Sequence, residues 1–153
     1  MLSLYIESIK EINEKQMGLL LLADPSEQVV KSYIKRSHCL AANDGEKTVG
    51  IIALLPTRPE TLEIVNVAVL ESEQGKGYGK QLIQYAIEFA RDNGYKTLEI
   101  GTGNSSLNQL GLYQKCGFRI TGIDKDFFIR HYAEEIYENG IQCRDMIRLT
   151  QDI

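Results

Sequence analysis

The sequence has few of the residues on which disulfide scaffolds and metal centres depend. Its 153 residues include three cysteines and two histidines. Cys39, Cys116 and Cys143 are odd in number and far apart, which argues against a disulfide framework and against a structural zinc site. The histidines, His38 and His131, are too few for a histidine-based metal centre. Unpaired cysteines are typical of a reducing compartment, so we expect a cytoplasmic protein without a metal ion.

Long apolar runs and an excess of positive charge are also missing. No stretch approaches the ~20 apolar residues of a membrane-spanning helix. The first residues, MLSLYIESIKEINEK, contain acids and lack the layout of a signal peptide. The formal net charge is -4, whereas nucleic-acid binding requires clustered Lys and Arg. We therefore expect neither a membrane nor a nucleic acid as the partner.

The composition is that of an ordinary soluble protein, and the length favours a single domain over residues 1–153. Apolar periodicity predicts strands and helices in alternation. The predicted strands are 3–8, 38–44, 47–56, 61–70, 96–101, 118–132 and 141–150. The predicted helices are 10–23, 24–37 with Asp24 as N-cap and Pro25 in the first turn, one from Tyr78 to Gly94, and 106–116.

One stretch, EQGKGYGKQL at residues 73–82, has three glycines just before a helix. Glycines free the backbone to direct N–H groups at one point, and a helix N-terminus adds positive potential, so the stretch predicts an anion site. A P-loop fails because Gln74 stands in the place of its first glycine and Gln81 follows Lys80. A Rossmann fingerprint fails because Lys80 stands in the place of its third glycine. The pattern [QR]-x-x-G-x-[GA] matches QGKGYG.

This match has support on both sides. The strand LEIVNVAVL runs directly into the glycines, and LYQKCGFRITG follows downstream. In these features the sequence resembles the GNAT family of acetyl-coenzyme A-dependent N-acetyltransferases, over roughly residues 47–122. The resemblance implies a mixed α/β fold, with a mostly antiparallel, splayed sheet of about six to seven strands flanked by about four helices. It also implies acetyl-CoA as the cofactor, direct transfer to a primary amine in a ternary complex, and a homodimer.

The resemblance implies a set of cofactor-binding residues. A bulge in the central strand would free the Val67 amide to hold the acetyl oxygen, with Ala68 and Val69 beside the pantetheine arm. The glycine loop would hold the pyrophosphate through Gln74, Gly75, Lys76, Gly77, Tyr78, Gly79 and Lys80. Many relatives carry an asparagine at the position seven residues before Tyr113, where this chain has Ser106. Asn104 and Asn108 flank that place, and Asn108 is assigned to the cofactor arm.

Two residues are candidates for proton transfer. The resemblance implies that Glu63 is the general base, acting through water, and that Tyr113 protonates the leaving thiolate. The alternatives are a solvated strand-end glutamate and a core tyrosine. Asn66, the other polar interruption of this strand, either satisfies a bulge or contacts the substrate. If Cys116 acted as a nucleophile, it would form an acetyl-enzyme intermediate, but the sequence offers no nearby histidine to activate the thiol.

The acceptor is left open by the sequence. The segment 124–137 is acidic and aromatic, which suits a cationic amine; its members are Asp124, Asp126, Phe127, Phe128, Tyr132, Glu134, Glu135 and Tyr137. A small amine and a protein or peptide amine are both compatible with it. A non-catalytic acyl-CoA-binding sensor is the alternative to an acetyltransferase. A nucleotide-phosphate enzyme would need a P-loop lysine followed by a metal-binding Ser or Thr, and the sequence has no such pair in register.

Overall fold

A seven-stranded sheet with helices on both faces forms the centre of the computed structural model, which describes residues 4–153. The strands are β1 Tyr5–Ile9, β2 His38–Asp44, β3 Lys47–Arg58, β4 Thr61–Val69, β5 Thr97–Gly103, β6 Arg119–Asp124, β7 Tyr137–Glu138, β8 Ile141–Gln142 and β9 Met146–Asp152. The helices are α1 Glu14–Ala23, α2 Glu27–Ile34, α3 Tyr78–Asp92, α4 Leu107–Lys115 and α5 Phe127–His131. A short 3-10 turn, Glu71–Glu73, connects β4 to the glycine loop.

The strand order in the sheet is β1-β2-β3-β4-β5-β9-β6, and β7 and β8 form a separate hairpin. Among residues 4–153, β4 and β5 are the only neighbouring strands of this sheet that run parallel. The other neighbouring strands are antiparallel. The central strand β3 is buried along most of its length because helices cover both faces. Apolar residues of both parities in β3 and β4 are explained by this double coverage.

The core consists of two apolar clusters, one on each face of the sheet. On one face α3 and α4 pack through residues such as Leu82, Ala86 and Tyr113. On the other face α1 and α2 pack through residues such as Leu20 and Val30. The helices therefore approach the sheet from opposite sides, and the middle of β4 lies between them. None of the helices formed by residues 4–153 combines the length and the apolarity needed to cross a membrane.

The structure confirms the predicted mixed fold and corrects four of its elements. α2 begins at Glu27 with Ser26 as its N-cap, because the Ser26 hydroxyl accepts a hydrogen bond from the Val29 amide at 3.2 Å. The prediction of Asp24 as the cap was therefore wrong. Residues 118–132 divide into β6 and the helix α5, and residues 141–150 divide into β8 and β9. Pro56 does not end β3, which continues to Arg58 with an irregular register.

Candidate active site

The site begins where β4 and β5 separate. The two strands pair from Thr61 with Thr97 to Ile64 with Ile100 and no further. The register of β4 against β3 shifts at this point, because Ala53 pairs with Asn66 and Leu54 with Ile64, leaving Val65 as an extra residue. Such a bulge bends the strand that carries it. The splayed sheet implied by the sequence is thus present, and the gap opens beyond Val65.

The backbone of β4 directs polar groups into this gap. In an antiparallel ladder, alternate residues turn their N–H and C=O groups toward the partner strand. The Leu70 amide donates to the Val49 carbonyl at 2.8 Å, and Ala68 pairs with Ile51 in the same register. The intervening residues Val67 and Val69 therefore present their N–H and C=O groups on the opposite side, toward β5. The Gln74 side chain donates to the Val69 carbonyl at 3.2 Å.

The glycine loop has the backbone conformation that a phosphate cradle requires. Gly75 and Gly77 both have φ of +84°, a left-handed conformation that favours glycine. Gly77 is the N-cap of α3, whose 15 residues start at Tyr78. Its first amides have no partner within the helix, so the positive end of α3 faces the loop. The buried residue Glu73 anchors the loop through ion pairs with Lys76 at 2.8 Å and with Lys47 at 3.4 Å.

Two cavities lie along the gap. The first, which we name the loop cavity, has a volume of about 560 Å³. It is lined by nearly all the residues predicted to bind the cofactor, namely Val67, Ala68, Val69, Gln74, Gly75, Gly77, Tyr78, Gly79, Lys80, Asn108 and Tyr113. Lys76 is absent from this lining, and its ammonium is held by Glu73.

The second cavity, which we name the strand cavity, has a volume of about 400 Å³. Its walls are residues 64–67 of β4, residues 100–103 of β5 and residues 22–25 at the C-terminal end of α1. The remaining lining residues are Ser106, Gln109, Tyr113, Phe128, Tyr132, Ile136, Glu138, Cys143 and Met146. The two cavities meet, since Leu22, Ala23, Val67, Gln109 and Tyr113 line both of them.

Tyr113 lies at this junction. It is buried at 5% exposure on α4, and its ring packs edge-to-face on Phe118 at 6.3 Å between centroids. Burial raises the pKa of Tyr113 well above its usual range, and the neighbouring Cys116 adds to this. The hydroxyl therefore keeps its proton at neutral and mildly alkaline pH. A neutral phenol beside a leaving thiolate is a proton donor.

Glu63 lies in the paired part of β4, one residue before its last pair with β5 at Ile64, and lines neither cavity. Across the strand pair it faces Glu99, which is paired with Arg58. Burial raises the pKa of the Glu63 carboxyl, and the charge of Arg148 opposes this shift most strongly. A carboxylate with a raised pKa is the better proton acceptor.

The structure places the other polar candidates in different roles. Ser106 sits at the N-cap position of α4, and its hydroxyl donates to Glu138 at 2.8 Å. Asn104 accepts from the amides of Arg144 and Asp145, so it fixes the entry to β9. Asn108 faces the loop cavity. Of the acidic and aromatic segment, Phe128 and Tyr132 line the strand cavity.

The remaining members of that segment lie outside the cavities. Asp124 is paired with Arg130 at 2.7 Å and with Arg148 at 3.4 Å, and Asp126 is paired with Arg144 at 3.6 Å. Phe127 stacks against His131 with centroids 4.7 Å apart. Glu134, Glu135 and Tyr137 are exposed and are not part of either lining. The segment thus supplies aromatic walls, and two of its four acids, Asp124 and Asp126, form ion pairs.

Four residues that the sequence did not bring together form a cluster at the strand cavity; Asp24, Asn66 and Tyr132 line it, and Tyr33 is hydrogen-bonded to the first two without being part of the lining. Asp24 accepts from the Tyr132 hydroxyl at 2.7 Å and from the Tyr33 hydroxyl at 3.1 Å. Asn66 donates to the Tyr33 hydroxyl and to the Leu20 carbonyl, both at 3.0 Å. We name Asp24, Tyr33, Asn66 and Tyr132 the carboxylate cluster. Asn66 was predicted to satisfy a bulge or to contact substrate, and it lies at the bulge and in the cavity wall.

Comparisons with known proteins agree with this geometry. Residues 6–118 match the model of the Acetyltransferase (GNAT) family. The chain is 58% identical over 153 residues to the uncharacterised N-acetyltransferase YvbK of Bacillus subtilis, covering 100% of this chain and 99% of that protein. A crystal structure of a Bacillus subtilis acetyltransferase in complex with CoA superposes with a TM-score of 0.95, at 58% identity and 99% coverage of each chain. A GNAT family acetyltransferase from Elizabethkingia anophelis with acetyl-CoA bound superposes with a TM-score of 0.94, at 45% identity and 98% coverage of each.

Proposed function

The chain belongs to the acetyltransferase (GNAT) family and is an acetyl-CoA-dependent N-acetyltransferase, and on this premise we propose how its two cavities divide the reaction. The loop cavity receives the donor, the strand cavity receives the acceptor amine, and transfer occurs at their junction. One observation carries this proposal: Val67 and Tyr113 line both cavities. The relatives support catalysis over a non-catalytic sensor.

The residues of the loop cavity fit acetyl-CoA. The pyrophosphate would lie at the left-handed glycines and the N-terminus of α3, where unpaired amides point outward. Lys80 adds a positive charge to the lining. We propose as cofactor-binding residues Val67, Ala68, Val69, Gln74, Gly75, Lys76, Gly77, Tyr78, Gly79, Lys80, Asn108 and Tyr113. Lys76 contributes its backbone, because Glu73 holds its side chain.

When bound, acetyl-CoA supplies the acetyl group as an activated thioester. The Val67 amide, turned into the gap, donates a hydrogen bond to the acetyl oxygen as negative charge develops there. Glu63 accepts the amine proton through water, and its raised pKa favours this role. Tyr113 donates its proton to the departing thiolate. An acceptor bound as its ammonium ion gives up two protons overall: one replaces the proton that Tyr113 donates to the thiolate, and the other leaves through Glu63 to water.

The transfer is direct, without an acetylated cysteine. Cys143 lines the strand cavity, and Cys116 lies beside Tyr113 on α4. Burial raises the pKa of both thiols, so both remain protonated. A thiol rather than a thiolate is a poor nucleophile. We therefore propose that donor and acceptor are bound together when the acetyl group moves.

Two further features belong to this proposal. The enzyme acts in the cytoplasm, which the free thiols of Cys39, Cys116 and Cys143 favour. It forms a homodimer, which rests on the family resemblance. Sedimentation velocity of the purified enzyme distinguishes a dimer from a monomer, and a single monomeric species across the micromolar range would contradict the dimer.

Thermal unfolding with different nucleotides tests the assignment of the loop cavity. A ligand that binds the native state at 100 times its Kd stabilises it by about 2.7 kcal/mol. We expect acetyl-CoA and free CoA to raise the unfolding midpoint and ATP and NAD to leave it unchanged. An equal rise with ATP would mean that the glycine loop recognises phosphate without the CoA arm. Release of free CoA thiol on adding amines then measures turnover.

A further inference from the structure

We propose that the strand cavity recognises its acceptor as a primary alkylammonium ion, that the carboxylate cluster is the recognition site, and that amines carrying a carboxylate are rejected. This inference deepens the proposed function and rests on it. It names the chemistry of the acceptor, and it assigns a binding role to Asp24, which lies outside the predicted site.

In the carboxylate cluster the side-chain N–H and O–H donors already have partners, so the atoms that remain free are hydrogen-bond acceptors. Both tyrosine hydroxyls donate to Asp24, and both N–H groups of Asn66 are used by Tyr33 and by the Leu20 carbonyl. The Oδ1 atom of Asn66 is buried and has no partner among residues 4–153. A carboxylate offers about four acceptor sites, and Asp24 uses three, including one from the Ser26 amide at 3.3 Å.

A ligand that satisfies such a wall must be rich in donors. An alkylammonium group has three N–H donors and no acceptor, so it matches the unused capacity of Asp24 and Asn66. A carboxylate or a phosphate has the opposite inventory and would face the Asp24 carboxylate without a proton to offer. Leaving a buried acceptor unpaired is unfavourable, and an incoming donor relieves that cost.

The charge of the cavity favours the same ligand. Its charged lining residues are Asp24 and Glu138, and no Lys, Arg or His is among the lining residues. Two negative charges in the lining of one cavity attract cations and repel anions. The rings of Phe128 and Tyr132, 5.3 Å apart, add aromatic faces on which a cation is stabilised. Glu138 is exposed and keeps its place through the hydroxyl of Ser106.

The cluster lies beside the point of transfer. Ala23, the residue before Asp24, and Val67, the residue after Asn66, line both cavities. An alkyl amine with a pKa of about 10.4 arrives almost entirely protonated at neutral pH. The cluster therefore binds the form of the amine that is abundant, and deprotonation follows through the proposed path to Glu63. The ammonium chemistry is shared by free amines and by lysine side chains, and the experiment separates these two sources.

The experiment compares three amines of equal chain length that differ only in the charge of the far end. They are 1,5-diaminopentane, 1-aminopentane and 5-aminopentanoate, with a tail that is positive, neutral and negative. Turnover is followed by CoA thiol release with acetyl-CoA saturating. We expect kcat/KM to fall at least about tenfold from 1-aminopentane to 5-aminopentanoate, which corresponds to 1.4 kcal/mol. The diamine should react at least as well as the monoamine.

A fourth acceptor identifies the source of the ammonium. A peptide with a blocked N-terminus and one lysine is offered at the same concentration, with its neighbours made acidic in one version and neutral in another. A preference for the neutral over the acidic peptide supports ammonium recognition on a protein, and a preference for free amines supports it on a small molecule. Equal turnover of 5-aminopentanoate and 1-aminopentane would overturn the proposal in either case.

Two variants locate the recognition in the cluster and its cavity. Asp24→Asn removes the charge at constant size and should raise KM for 1-aminopentane about tenfold, while CoA affinity stays the same. Glu138→Gln keeps an oxygen that accepts the hydrogen bond from the Ser106 hydroxyl. It should reduce the difference in kcat/KM between 1-aminopentane and 5-aminopentanoate. Asp92→Asn on the exposed end of α3 and Glu135→Gln outside the cavity are matched controls and should change neither quantity.

The outcomes separate this inference from the proposed function. If amines are acetylated but neither the tail charge nor Asp24→Asn affects KM, the recognition site is wrong and the acetyltransferase geometry stands. If none of the amines or peptides reacts although CoA raises the unfolding midpoint, the assignment of the strand cavity to the acceptor fails as well. A loss of folding in Asp24→Asn leaves the tail-charge series in the native enzyme as the deciding result.

Discussion

Replacing Tyr113 with phenylalanine removes one atom from the junction of the two cavities. Within residues 4–153 the structure gives the Tyr113 hydroxyl no hydrogen-bond partner, so the substitution breaks no bond in the fold. The ring keeps its packing on Phe118. We therefore expect the unfolding midpoint of Tyr113→Phe to match that of the native enzyme, and its affinity for CoA to change little.

The rate should change much more. General acid catalysis contributes about 10²- to 10⁴-fold, which corresponds to about 2.7–5.4 kcal/mol of activation free energy. A phenol whose pKa is raised by burial is fully protonated, so every enzyme molecule carries the proton that the variant lacks. kcat measured by CoA thiol release at saturating acetyl-CoA should fall by this factor. The loss should persist from pH 7 to pH 9, because the native phenol does not titrate there.

A small effect would refute this assignment. If Tyr113→Phe retained more than about a third of the native kcat, the leaving thiolate would be protonated by water or by another group. Phe118→Leu is a useful companion, because it disturbs the ring contact without touching the hydroxyl. A fall in kcat only in the companion would make Tyr113 a packing residue.

Three other predictions address the base, the loop and the cluster. Glu63→Gln should lower kcat about 10²- to 10⁴-fold and remove the acid limb of the pH–rate profile. Because the folded-state pKa of Glu63 is raised, its ionised form destabilises the folded protein above that pKa. The Glu63→Gln variant should therefore have a larger free energy of unfolding than the native enzyme at neutral pH. This difference in free energy should disappear as the pH is lowered and Glu63 becomes protonated. Gly79→Ala should weaken CoA binding without lowering the midpoint, since its Cβ meets Leu112 at an ordinary 3.8 Å; the exposed Gly18→Ala should leave CoA binding intact and stabilise α1 by about 0.5–1 kcal/mol. Tyr33→Phe should cost about 1–3 kcal/mol in denaturant unfolding, because Asn66 and Asp24 each lose a partner.

The glycine loop and the helix after it could be predicted because their signals are local. A run of glycines that needs positive φ, followed by an amphipathic stripe, determines a turn and a helix start within ten residues. Asn108 and Tyr113 were assigned through the family resemblance, and both lie in the wall of the loop cavity. The resemblance supplied the splayed sheet, whose opening depends on where two distant strands stop pairing.

The carboxylate cluster could not be predicted because its signals are not local. Asp24, Pro25 and Ser26 in succession offer two competing N-cap residues, and propensity alone does not choose between them. Ser26 takes the cap, and Asp24 is left to bind Tyr132, 108 residues further along the chain. Similarly, residues 118–132 read as one strand because α5 is only five residues long and carries aromatics.

The central claim is that donor and acceptor occupy the two cavities together and react at Val67 and Tyr113. Initial rates measured at several fixed concentrations of 1-aminopentane, with acetyl-CoA varied at each, test this claim most directly. Direct transfer in a ternary complex predicts double-reciprocal lines that intersect. Parallel lines, together with an acetylated Cys143 or Cys116 in the enzyme quenched before the amine is added, would contradict it.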